Sequence, residues 1–122
     1  MILDFQTTWC PVTDMKRASA FYREVLGLKP GTQSPYWSDF HVGQHRIGLH
    51  PGAPEATPKG GWRLGLLTDD LKALRQRLEE AGATLLDDYH ETPQGVVLTF
   101  ADPDGNPIQA LQRGSRLSEF GA

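Results

Sequence analysis

Val12-Thr13-Asp14-Met15-Lys16-Arg17-Ala18 returns in outline as Thr68-Asp69-Asp70-Leu71-Lys72-Ala73-Leu74, with Asp14 and Asp70 separated by 56 positions. Each copy follows a short apolar run and opens an amphipathic helix that stops at a glycine, Gly27 or Gly82. In the first helix, read over 14–26, Met15, Ala18, Tyr22 and Val25 fall at spacings of three and four and share one face. Leu71, Leu74, Leu78 and Ala81 repeat that spacing in the second helix. Asp14 or Thr13 supplies the N-cap oxygen, and Gly27 supplies the left-handed residue that closes the last turn. A repeated supersecondary unit cannot bury its apolar face alone, so the repetition predicts two similar modules completing one fold.

The rest of each module reads as strands. Residues 3–12 precede the first helix; 36–42 and 45–50 follow it around Gly43-Gln44, a two-residue hairpin signal. Residues 51–61 hold three prolines and three glycines and read as a linker. The pattern then restarts with a strand at 62–68, the second helix, a short strand at 83–87, a loop through Pro93-Gln94-Gly95, and strands at 96–101 and 107–112. Asp102-Pro103-Asp104-Gly105 is a turn by its own chemistry. The expectation is one domain over 1–122: module one 1–50, linker 51–61, module two 62–113, and a tail 114–122 read as a loose end or a partner contact.

Composition narrows the function classes. The 122 residues suffice for one domain, and 39 % apolar residues can build a core. A net charge of -3 with scattered Lys and Arg argues against nucleic acid as a partner. Cys10 is the only cysteine, so no intrachain disulfide forms. The start lacks a basic region followed by a long apolar stretch, and no apolar run reaches membrane-spanning length. The expected setting is therefore cytoplasmic, with no membrane partner.

Three separated motifs carry a family likeness. Val12-x-Asp14-Met15-x-x-Ala18-x-x-Phe21-Tyr22-x-x-Val25-Leu26-Gly27-Leu28 resembles the first-module signature of the vicinal-oxygen-chelate superfamily. Asp69-Asp70-Leu71 with Glu80-Ala81-Gly82-Ala83 is similar to its second module, and Phe100 to Ile108, through Asp102-Pro103-Asp104-Gly105, to its closing hairpin. That group contains glyoxalase I, extradiol dioxygenases, fosfomycin-resistance enzymes and bleomycin-resistance proteins. The resemblance implies an α+β fold of two tandem βαβββ modules, with a curved mixed sheet, helices on its convex face and a ligand cup on its concave face. It also implies a homodimer, with the modules pairing within one chain or across two.

Strand alternation then sorts side chains between the two faces. Thr8, Cys10, Val12, Phe40, Val42, Ile47, Leu49, Leu98 and Phe100 suit the packed face. Thr7, Trp9, Trp37, Asp39, His41, Arg46, His50, Val97 and Thr99 are left for the cup. In metal-dependent relatives the resemblance sets the ion's ligands at positions that correspond here to Thr7, Arg63 and Gln109. A neutral hydroxyl, a permanent cation and a neutral amide make a poor set for a divalent ion, so neither a metal nor another cofactor is expected.

The four histidines offer little else. His45 sits at the hairpin turn, and His90 lies in a polar run read as a solvated loop. His41 and His50 fall on the cup parity as polar residues of a wet groove. A Gly43-Gln44 turn sets His50 beside Trp37 and His41 beside Arg46. A Gln44-His45 turn would instead set His50 beside Asp39 as a carboxylate-oriented base. Trp9 and Trp37 suit an aromatic pocket wall.

The reading is a metal-independent small-molecule-binding protein of the glyoxalase/bleomycin-resistance type, with antibiotic sequestration as one role. Its site is expected from Thr7, Trp9, Trp37, Asp39, His41, His50, Arg63, Thr99 and Gln109, and no catalytic residue is assigned. Arg63 would pair with an anionic or carbonyl oxygen of the ligand. The alternative is a metal-dependent lyase, isomerase or dioxygenase-like enzyme of the same superfamily. A third option makes Arg63 a structural cation paired with Asp39 or another acid.

Overall fold

The computed structural model describes residues 1, 3, 7–52 and 64–121. The chain falls into two compact units, residues 1–56 and 57–122. The first holds β1 (Thr8–Val12), α1 (Met15–Ala20), a π-helical turn (Phe21–Val25), β2 (Lys29–Gln33), β3 (Ser38–Val42) and β4 (His45–Pro51). The second holds β5 (Leu64–Leu67), α2 (Leu71–Glu80), β6 (His90–Thr92), β7 (Gly95–Ala101), β8 (Pro107–Arg113) and a 3-10 turn (Leu117–Phe120). Their sheets have the same order, β1-β4-β3-β2 and β5-β8-β7-β6, and in each the first strand runs parallel to the last. The fold is thus α+β, two βαβββ modules with one four-stranded mixed sheet each.

The repeated sequence acts through its caps. Asp14 Oδ1 accepts the Arg17 N–H at 3.1 Å, and Asp70 Oδ1 accepts the Ala73 N–H at 3.0 Å. Gly27 and Gly82 close the two helices at φ 71° and 70°. α1 runs on through a wider turn in which the Leu26 N–H reaches the Phe21 carbonyl at 3.1 Å. That turn narrows the angle between consecutive side chains and keeps both Phe21 and Tyr22 buried. Tyr22 stacks on Phe40 of β3, with ring centroids 5.8 Å apart, and α1 packs on β4 over the buried Ile47 and Leu49. Burying side chains of this size stabilises by about 1.5–3 kcal/mol each. Cys10 joins this face, its Sγ 3.7 Å from the Tyr22 hydroxyl. In the second unit α2 packs on β7 and β8 through the buried Leu71 and Leu78. Ala81 lies outside that stripe, exposed at the C-cap.

Four sequence expectations need correction. β2 lies where the residue pattern marked no strand, although the βαβββ module implied by the resemblance calls for one there. As an edge strand it tolerates the missing proline N–H. The short strand expected at 83–87 is a single bridge, Leu85 to Phe100, and pairing with β7 resumes at β6. His90 therefore sits in a strand opposite Val97, still exposed, and not in a loop. The tail is fastened: the Ser115 hydroxyl accepts the Val96 N–H at 2.9 Å, and Phe120 packs on Tyr89 at 4.6 Å. Residues 53–61 of the linker, with Trp62 and Arg63, lie outside the described residues. Among the described residues no helix is long and apolar enough to cross a membrane.

Candidate functional site

Helix packing uses one face of the first sheet, and the opposite face carries the side chains of interest. The hairpin register fixes this division. Gly43, at φ 57°, takes the first central position of the β3–β4 turn, and Val42 then pairs with His45 and His41 with Arg46. Residues paired directly across neighbouring strands point to the same side. One row therefore runs Trp9, Gly48, Asp39 across β1, β4 and β3. The next runs Arg46, His41, Lys29 across β4, β3 and β2. Thr7 stands at the β1 end of that second row, its hydroxyl donating to the Arg46 carbonyl at 3.3 Å.

Gly48 is the hub of the face. A Cβ there would collide with the Trp37 indole, so the ring lies across the glycine. Its Nε1–H donates to Asp39 Oδ2 at 3.0 Å. The other carboxylate oxygen accepts the Thr32 N–H at 2.8 Å at the bulge of β2. A Cβ on Gly31 would collide with that same oxygen. Asp39 is thus 4 % exposed and held by fixed donors, as a buried carboxylate must be. Arg46 Nη1 stands 3.7 Å from Asp39 Oδ2, with its side chain about half exposed. Trp9 is 55 % exposed and lies against His50, with ring centroids 5.5 Å apart.

Trp9, Trp37, Asp39, His41 and His50 thus share one face of the first sheet, with Thr7 at its end. The Gly43-Gln44 register rules out the His50–Asp39 pair, because Asp39 faces Gly48. The His50 Nδ1–H donates instead to the Pro51 carbonyl at 2.8 Å. Thr99 and Gln109 meet on the second sheet, the amide nitrogen donating to the Thr99 hydroxyl at 3.5 Å. Arg63 is outside the described residues. Sequence reasoning did not select Arg46, although the hairpin register already set it beside His41. It also lacked Lys29, because β2 carried no strand signal. Residues 91–95 and 114–116 line a separate cavity of about 430 Å³ that includes none of the expected site residues.

The metal ligands implied by the resemblance fail on their chemistry. Thr7 and Gln109 are neutral, and both act as hydrogen-bond donors within the protein. Among the described residues no three His, Cys, Asp or Glu side chains gather where an ion could sit. The donor set does not fit a divalent cation.

Comparison with known proteins follows the fold. The glyoxalase-like domain model matches residues 7–111. The antibiotic-binding protein TnmS3 from Streptomyces sp. CB03234 is 32 % identical, with a TM-score of 0.75 over 93 % of this chain and 98 % of its own. A glyoxalase/bleomycin resistance protein from the same organism is 33 % identical, with a TM-score of 0.70 over 87 % and 97 %. A lactoylglutathione lyase from Agrobacterium tumefaciens shares the fold at 22 % identity, with a TM-score of 0.70 over 89 % and 92 %. Motifs, module topology and these matches agree: the chain belongs to the glyoxalase-like family of the vicinal-oxygen-chelate superfamily.

Proposed function

We propose that this protein is a metal-independent binder of a small organic molecule, and that its role is antibiotic sequestration. The observation that carries the reading is the aromatic shelf of the first sheet, where Trp37 lies over Gly48 beside the exposed Trp9. Flat aromatic surface with a few fixed polar groups is how proteins hold small organic ligands. The likeness to an antibiotic-binding protein at 32 % identity supports the same class. In this reading Trp9, Trp37 and His50 supply stacking area, while Thr7 and His41 supply directional hydrogen bonds. Asp39 locks the Trp37 ring in place. Arg63, Thr99 and Gln109 are proposed separately as ligand-contacting residues of the second module, and a homodimer is proposed, which gel filtration measures.

The test uses the full chain without a histidine tag. Metal content is measured first; stoichiometric zinc, nickel, iron or manganese would overturn the metal-independent reading. A panel of aromatic antibiotics is then titrated while indole emission and melting temperature are followed. A true ligand at 100 times its Kd stabilises by about 2.7 kcal/mol. Trp9→Ala should abolish the stabilisation while leaving the fold intact, because Trp9 is largely exposed.

A further inference from the structure

We infer that the molecule held on the first sheet is a planar aromatic acid, its oxyanion gripped by Lys29, His41 and Arg46; this rests on the binding reading above.

The row Lys29–His41–Arg46 crosses β2, β3 and β4 through direct pairing. Lys29 and Arg46 each oppose His41 directly and stand two strands apart, roughly 10 Å. Two long basic side chains that flank one imidazole at that spacing can close on a single oxyanion. Among the described residues neither Lys29 nor His41 has a carboxylate within ion-pair distance, and Asp39 is the one facing Arg46. Asp39 offsets part of the Arg46 charge, at ion-pair distance without a hydrogen bond between them. Its oxygens are taken up by the Thr32 N–H and the Trp37 Nε1–H, and Arg46 stands 3.7 Å away, beyond hydrogen-bond range. The exposed part of Arg46 and the exposed Lys29 leave a positive strip with an imidazole at its centre. Charge-assisted bonds from guanidinium and ammonium to an oxyanion suit that strip.

The adjoining row sets the rest of the ligand. Gly48 and Arg46 lie two residues apart on β4, as do Asp39 and His41 on β3, which separates the rows by roughly 7 Å. The indole shelf over Gly48 therefore lies one small-ring width from the cationic strip. A flat ring with a carboxylate, sulfonate or phosphate attached spans both.

Two probes with one aromatic frame make the test: anionic 1-anilinonaphthalene-8-sulfonate and neutral N-phenyl-1-naphthylamine. Each is titrated against the full chain at low salt, read by energy transfer from tryptophan. The sulfonate should bind at least about 10-fold tighter, the value of one good charge-assisted contact. Added salt should weaken the sulfonate alone. Lys29→Gln/Arg46→Gln should remove the preference and leave the neutral probe within about twofold. Should that double variant fold poorly by circular dichroism, Lys29→Glu alone, at an exposed edge position, should still cut sulfonate affinity selectively. Equal affinities in the parent chain, or a preference that survives in both variants, would overturn the anion row. The binding reading would then stand, provided Trp9→Ala weakens both probes. Failure of both probes to bind would overturn both proposals.

Discussion

A single missing side chain at position 48 organises the candidate site. The Trp37 indole occupies the space where a Cβ would project, and the same ring donates to the buried Asp39. Gly48→Ala should therefore push the indole off its shelf and break the Nε1–H to Oδ2 bond. Leaving a buried acceptor short of a partner costs about 1–3 kcal/mol, and overpacking adds a similar amount. Urea denaturation would measure the loss, and a red-shifted indole emission would report the displaced ring. The cause is specific, so the effect should not be additive: in a Trp37→Ala background Gly48→Ala should cost little. Equal costs in the two backgrounds would show that the glycine matters for some other reason. Gly31 has the same logic on β2, leaving room for Asp39 Oδ1.

At the scale of elements, the helices follow their caps. Asp70→Ala removes the oxygen that receives the Ala73 N–H. It should destabilise by about 1 kcal/mol, roughly 4 °C in melting temperature. Asp70→Asn, which keeps an acceptor, should recover most of that. A loss of similar size in the Asn variant would point to the helix dipole rather than the cap.

What was legible in the sequence divides along the same physical line. Helices, caps, glycine stops and the β3–β4 hairpin each carry a local signal: a 3.6 period, a short polar oxygen, a positive φ. The faces of Trp9, Trp37, Asp39, His41 and His50 followed from alternation once the turn at Gly43 set the register. β2 and β6 were not legible, because both are edge strands whose residues are chosen by a neighbouring strand and by solvent. Lys-Pro-Gly-Thr-Gln and His-Glu-Thr have no apolar alternation to display. Lys29 was lost with β2, and with it half of the cationic strip. The fastening of the tail was equally hidden, since it rests on Ser115 and Phe120 meeting partners 19 and 31 positions away in sequence, Val96 and Tyr89.

Across the whole molecule the two modules share topology but not surface chemistry. Fifty-six positions after Trp9 comes Gly65, which presents no side chain on β5. In register with it, Gln109 and Thr99 stand where the first module has Gly48 and Asp39, and Pro107 and Ala101 where it has Arg46 and His41. Duplication preserved the caps and strand order, which stabilise both copies, while the two faces diverged.

Charge also governs how the fold responds to acid. Arg75 on α2 donates to Asp88 Oδ1 and, through Nε, to Glu79 at 2.9 Å, and it lies over the Tyr89 ring. Asp88 and then Glu79 push the Arg75 guanidinium further up, so it stays charged throughout. The Arg75 bond, followed by the Tyr89 N–H at 2.7 Å, holds the Asp88 carboxyl below the usual carboxylate range. The folded chain therefore binds this proton more weakly than the unfolded chain does. The stabilisation is present above about pH 4, the ordinary Asp value, and is lost as pH falls through the lower folded value. Asp88→Asn lacks this component, so its melting temperature should fall less steeply than the parent's below about pH 4. Added salt should narrow the difference, because Asp88 is an exposed partner. Parallel melting curves from pH 5 to 2 would show that the pair contributes nothing to acid stability.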